Sequence, residues 1–155
     1  MDEERFTALV QEHRNLLWHI AYAMLHSEQD AADATQEALL RAWRARDSFR
    51  GDASEKTWLT RIAINVCRSM RRRRVIFSPL EEIEAPLPVD NAPLHDALAK
   101  LSPALRMPLV LVYLEGFSVA EASRALGIPP GTVKSRLHRG RKALARLIDR
   151  EDVDW

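Results

Sequence analysis

The sequence predicts an all-α fold: two small helical domains joined by an acidic, proline-rich linker, the second domain containing a helix-turn-helix. Three observations carry that expectation. Apolar residues recur at three- and four-residue steps along most of the chain, and no alternating stretch of useful length suggests a strand. Residues 75–93 break the pattern, with Pro79, Pro86, Pro88 and Pro93 set among Glu81, Glu82, Glu84 and Asp90. Residues 116–147 carry cap, turn and second-helix signals in close succession. The layout expected is a first domain over residues 1–74, a linker over 75–93 and a second domain over 94–155.

In chain order, Phe6, Leu9, Val10, Leu16, Leu17, Ile20 and Met24 fit one amphipathic helix ending near Leu25, with His26 and Ser27 as the break. Asp30 opens a second helix, whose acidic first turn suits the helix dipole. Residues 47–54, DSFRGDAS, are a loop around Gly51. A third helix runs from about Thr57 into four consecutive arginines, Arg71 to Arg74. Beyond the linker, Leu94, Leu98 and Leu101 share one face, and Ser102 with Pro103 restart a helix as N-cap and first residue. Pro108 removes one backbone hydrogen bond inside that helix and kinks it, and Gly116 closes it.

Ser118 and Glu121 then have capping-box spacing, Gly127 suits a left-handed exit and Pro130 suits the first position of the last helix. In that helix Val133, Leu137, Gly140, Leu144 and Leu147 form an inward stripe. The opposite face carries Lys134, Ser135, His138, Arg139 and Lys142, flanked by Arg136 and Arg141. Such a face offers charge-assisted donors to phosphates and base edges, so the second domain reads as DNA-binding. The alternative is a solvated basic helix on a small bundle.

Composition narrows the function classes. The chain has 155 residues, 46% hydrophobic and 29% charged, which suffices for real cores. No apolar run reaches the roughly 18 to 20 residues that span a bilayer, and the N-terminus is acidic where a signal peptide is basic. A cytoplasmic protein without membrane insertion is expected. The single cysteine, Cys67, excludes an internal disulfide and a cysteine-based metal cluster, and its apolar helical setting predicts a buried, inert thiol. His13, His19 and His26 lack the i, i+4 spacing of a helical zinc site, and no phosphate loop or nucleophile elbow occurs. The expectation is therefore no enzyme, no metal and no cofactor. Net charge is only +1, but acidic residues gather over 30–37 and 81–90 and basic ones over 68–74 and 134–150. That segregation suggests separate faces for separate partners, some of them polyanionic.

Two faces of the first domain stand out. Asp33, Gln36, Glu37, Leu40 and Trp43 share one side of the second helix and describe a docking surface for a basic partner, or else an ordinary acidic face with Trp43 in the core. Thr57, Trp58, Arg61, Asn65 and Arg68 fall along one side of the third helix. An aromatic, an amide and two cations suit an unstacked base and its backbone, whereas a core tryptophan beside solvated arginines is the bland reading.

On these motifs the chain resembles the extracytoplasmic-function (ECF) group of bacterial sigma factors. GTVKSRL after a short helix and glycine turn resembles their promoter-reading C-terminal domain. DAADATQEALLRAWRA resembles the helix that docks on the clamp coiled coil of RNA polymerase, with Ala34 and Thr35 in place of the usual Leu and branched residue. FRGDASEKTWLTRIAINVCRSMRRRR resembles the segment that opens the −10 element, although Ser54, Glu55 and Lys56 stand where many relatives carry apolar or aromatic residues. The resemblance implies a promoter-specificity subunit that docks through Asp33, Gln36, Glu37, Leu40 and Trp43. It implies −10 contacts from Phe49, Arg50, Ser54, Lys56, Thr57, Trp58, Arg61, Asn65 and Arg68. It implies −35 contacts from Thr132, Lys134, Ser135, Arg136, His138, Arg139, Arg141 and Lys142. The implied partners are core polymerase (clamp coiled coil and flap), promoter DNA and an anti-sigma factor, and the acidic linker is implied to thread toward the active-site cleft. A free-standing DNA-binding regulator and an enzyme with a helix-turn-helix appendage are the competing classes.

Overall fold

The computed structural model describes residues 1–77 and 92–152 of the chain, and every regular element among them is helical. Most of the expected linker, residues 78–91, and the last three residues lie outside the described residues.

Helix α1 (Glu3–Leu25) begins where the Asp2 carboxylate accepts from Arg5 N at 2.8 Å, and Glu3 and Glu4 face the positive end of its dipole. His26 ends it in the left-handed conformation, φ 54°, donating its N–H to Tyr22 O at 2.9 Å. Ser27, expected to be part of the break, is instead the N-cap of α2 (Glu28–Ala45): its hydroxyl accepts from Asp30 N at 3.2 Å. The helix therefore starts two residues before Asp30. Ala31, Ala34, Ala38 and Ala42 form its buried stripe, so α2 lies close on α1 and α3.

A 3-10 turn (Arg46–Ser48) and a short loop lead to α3 (Glu55–Phe77). Ser54 starts it two residues earlier than expected, accepting at its hydroxyl from Thr57 N at 3.1 Å. The helix also continues past Arg74, so residues 75–77 are helical rather than linker. The first residue that opposes helix here is Pro79, which restricts the residue before it as well.

Helix α4 (Ala92–Lys100) takes Pro93 into its first turn, where a missing N–H costs nothing, so this proline too leaves the expected linker. Helix α5 (Pro103–Leu109) follows Ser102 as predicted. Pro108 does not simply kink a long helix. The chain widens into a π-helix (Val110–Leu114), closed by Glu115 N donating to Val110 O at 3.0 Å. The widened turn lies just C-terminal to Pro108, which itself removes one backbone donor from α5. Helices α6 (Val119–Leu126) and α7 (Pro130–Asp152) make the helix-turn-helix, with Gly127 at φ 70° between them.

Both sequence halves contribute to one continuous core, from Leu9, Leu17, Ile20, Leu59 and Ile64 to Leu111, Leu126 and Val133. Helix α6 lies on α3, and α1 touches α5 and the π-helix. At that second boundary Arg106 is buried, 3% exposed, and its Nη1 donates to His26 Nε2 at 2.6 Å and to Ala99 O at 3.2 Å. Burial, then Arg106 and Arg71, push the His26 imidazole down to about 4. Cys67 is buried as predicted, and desolvation pushes its thiol up to about 12, which leaves it unreactive.

Candidate nucleic-acid interface

On α2, Asp33, Gln36 and Leu40 are exposed, Leu40 by 42%. Leu40 thus lies open beside a carboxylate and an amide on the same helix face. Glu37 is half-buried and bonded to Arg41 Nε at 3.1 Å, an i, i+4 pair that spends part of its charge within the helix. Trp43 departs furthest from a free docking residue. Its ring meets Phe6 edge-on at 5.2 Å and carries Arg46 on its face at 3.6 Å, so it anchors the helix to α1.

The loop before α3 and the first turns of that helix enclose a cavity of about 370 Å³. Phe49 and Trp58 form its aromatic wall, ring centroids 5.2 Å apart, with Arg50, Arg61 and Arg124 among its lining. A volume at the lower end of small-ligand clefts, with aromatic and cationic walls, suits one planar base and its phosphate. Thr57 also lines the cavity, but its side chain is committed locally. It is 1% exposed, and the Ser54 hydroxyl donates to its Oγ1 at 2.9 Å, so it secures the helix start. Ser54 is spent on the same cap. Arg61, Asn65 and Arg68 form the exposed row expected of them. Burial lowers the Arg68 pKa, and Arg136, Arg61 and Arg72 lower it further, a gathering of like charge that a polyanion would relieve. Lys56 turns away from the cavity: its Nζ sits 4.3 Å over the Phe117 ring and donates to Glu115 O at 3.5 Å.

The helix-turn-helix is locked by its own polar atoms. Ser118 Oγ accepts from Glu121 N, and Glu121 Oε1 accepts from Ser118 N, each at 3.0 Å. Those bonds hold the Glu121 carboxyl below its ordinary value. Gly127 N donates to Ser123 O at 2.9 Å and closes α6. Val133 and Leu137 are buried and Leu144 and Leu147 half-buried, which turns Lys134, Ser135, His138, Arg139 and Lys142 to solvent. Thr132 stands half-buried at the helix start. Gly140 permits a close crossing of α5 and α7: an added Cβ would lie 3.0 Å from Leu109 Cδ1 and 3.2 Å from Leu105 O. Two members of the expected DNA set point elsewhere. Arg136 lines a second cleft with Arg68, Arg71 and Arg72, and Arg141 donates to the Tyr113 hydroxyl. Arg124 is a cavity residue that the sequence reading missed, since it reaches the loop from 72 positions away, donating to Asp52 O at 2.6 Å.

Sigma-70 region 2 matches residues 9–75, and sigma-70 region 4 matches residues 92–144. The ECF RNA polymerase sigma factor SigM of Mycobacterium tuberculosis is 37% identical over 155 aligned residues, covering 95% of this chain and 79% of the relative. This chain belongs to the ECF sigma factors. SigW of Bacillus subtilis, another ECF sigma factor, is 30% identical over 170 aligned residues, covering 95% of this chain and 90% of SigW. Among solved structures, the sigma factor RpoE in its complex with the anti-sigma factor NepR, from Bartonella quintana, superposes with a TM-score of 0.84. The identity there is 29%, over 94% of this chain and 98% of that one. CnrH in complex with the cytosolic domain of CnrY gives 0.74 at 30% identity, over 96% of this chain and 90% of CnrH. As an ECF sigma factor the chain directs transcription initiation.

Proposed function

We propose that this sigma factor docks on core RNA polymerase through the exposed Asp33, Gln36 and Leu40 of α2, with Glu37 as a shared carboxylate and Trp43 as the anchor behind them. The −10 element is opened at the Phe49–Trp58 cavity, where a base leaves the stack for an aromatic wall, while Arg50, Arg61, Asn65 and Arg68 hold the strand. The −35 element is read in duplex form by Lys134, Ser135, His138 and Arg139, with Lys142 on phosphate. Thr132, Arg136 and Arg141 flank that helix and support its placement. The observation that carries the reading is the joint presence of a base-sized aromatic cavity on one helix and a solvent-facing cationic helix on another. One surface suits single strands and the other suits a major groove.

The protein contributes recognition rather than bond chemistry, so it acts without catalysis and works in the cytoplasm, where the polymerase is. One solved relative is in complex with the anti-sigma factor NepR and another with the cytosolic domain of CnrY, and an anti-sigma partner is proposed here too. The test is co-purification with core polymerase. Asp33→Lys places a like charge against a basic partner at a cost of several kcal/mol, so binding should be lost while helical content is retained. Undiminished binding of that variant would remove α2 from the docking site.

A further inference from the structure

A cavity of about 340 Å³, lined by α1, α4, α5 and the π-helix, belongs to neither proposed DNA surface. Arg106 lines it, 3% exposed, as a buried cation without a counter-charge. Its Nη1 is spent on His26 Nε2 and Ala99 O, and its Nε has no partner. Among the described residues no carboxylate forms an ion pair with it. His26 does not neutralise the charge either, since an imidazole held at about 4 is a neutral acceptor near neutral pH. Burial, then Arg71, lower the Arg106 pKa to about 10, so the guanidinium keeps its proton there.

The rest of the wall is flat and apolar. The rings of Trp18 and Tyr22 stack with centroids 5.1 Å apart and planes 5° from parallel, and Leu98, Val110 and Leu114 continue the lining. Glu115 is the one carboxylate of that lining; burial raises its pKa, and the cations that act on it are His19 and Lys56 rather than Arg106. A cleft of this volume, with apolar walls and a few convergent polar groups, is the ordinary form of a small-molecule site. A planar guanidinium matches a carboxylate in two parallel bonds, and an aromatic pair takes a third flat ring on its face or edge. A multiply charged anion fits the cleft of Arg68, Arg71, Arg72 and Arg136 better than a cavity with one guanidinium.

We propose that this cavity is a binding site for a small aromatic carboxylate, its carboxylate on Arg106 and its ring against Trp18 and Tyr22. The ligand supplies the counter-charge that the fold withholds from Arg106. It touches residues of both sigma regions and stabilises the chain by mass action. The lining shares no residue with the Phe49–Trp58 cavity or with the cationic face of α7, so the site does not depend on how the chain meets promoter DNA.

The test titrates the full purified chain in a calorimeter with benzoate, naphthoate and indoleacetate, each beside its uncharged amide. At least one acid should bind about tenfold or more tightly than its amide and raise Tm. Neither heat nor a rise in Tm from any acid at ~10 mM, or an amide that binds as well as its acid, overturns the proposal. Ala23→Phe fills the cavity from its half-buried α1 wall, and should weaken acid binding about tenfold or more with far-UV circular dichroism unchanged. Unchanged binding in that variant puts the acid elsewhere and overturns the proposal, as does a loss confined to Arg72→Ala in the four-arginine cleft. Arg106→Gln should make acid and amide bind alike, and full acid selectivity in a folded Arg106→Gln chain overturns the assignment. Should that variant fail to fold, the acid-to-amide ratio of the parent and the Ala23→Phe titration still decide.

Discussion

Replacing Gly140 by alanine inserts a methyl group where α5 crosses α7. In an open helix the change is stabilising by about 1 kcal/mol, since glycine is the poorer helix former. Here the new Cβ lies 3.0 Å from Leu109 Cδ1, 3.3 Å from Leu109 Cγ and 3.2 Å from Leu105 O. Leu109 is buried and the third neighbour is backbone, so neither moves cheaply. Overpacking of this kind costs about 1–3 kcal/mol, so the net expectation is a loss of about 1 kcal/mol, or about 2–4 °C in Tm for a chain of this size. Urea unfolding followed by far-UV circular dichroism measures it. Leu109→Ala in the same chain should relieve part of the clash, so the double variant loses less than the sum of the singles. A Gly140→Ala variant more stable than the parent would refute the close crossing and the inward placement of α7's stripe.

The remaining predictions concern the reading surfaces and one buried histidine. Trp58→Ala removes half of the aromatic wall, with a stacking loss of roughly 1–3 kcal/mol per base; closed complexes should persist while permanganate-reactive −10 thymines disappear, and unchanged reactivity would make Trp58 a core residue only. Arg139→Ala in the holoenzyme should cost about 1–3 kcal/mol at one −35 base pair and relax preference there, while Lys142→Ala should weaken all sequences alike and reduce the salt slope by about one. An equal shift at every site for Arg139→Ala would make it a phosphate clamp. His26 titrates at about 4 in the fold, against about 6.5 in the unfolded chain. As pH falls the unfolded chain takes up the proton first, so stability is full above about pH 7 and declines toward pH 4. Discounted for partial exposure, the loss from about pH 7 to 5 is on the order of 1 kcal/mol. His26→Gln should flatten that slope; an unchanged slope would show that other groups set it.

What the sequence made legible were signals local to a turn or two. The capping box at Ser118 and Glu121, the left-handed Gly127 and the N-terminal Pro130 each act on neighbours within four residues, so their chemistry is visible in the string. Helix boundaries slipped where two caps competed: Ser27 and Ser54 took N-cap positions ahead of the acidic residue or apolar run that had marked the start. Pro108 announced an interruption but not its form, a π-helix beginning two residues further on. The site was half legible. Helical spacing puts Thr57 in line with Arg61, yet Thr57 is buried and its hydroxyl is taken by Ser54. Trp43 was ambiguous for the same reason, since Phe6 lies 37 positions earlier. Arg124 on the cavity rim, Arg68 on the α6 carbonyl and Lys56 on Phe117 come from tertiary packing alone, and no periodicity marks them.

The most direct test of the central claim is transcription with purified components. Core RNA polymerase, genomic DNA and this chain are mixed, and the 5′ ends of the transcripts are mapped with and without Asp33→Lys and Trp58→Ala. The expected result is a small set of discrete start sites that depend on the chain, share one upstream sequence pattern, and vanish with either variant. Transcripts no more specific than those of core polymerase alone, from a chain that binds duplex DNA tightly by itself, would contradict it.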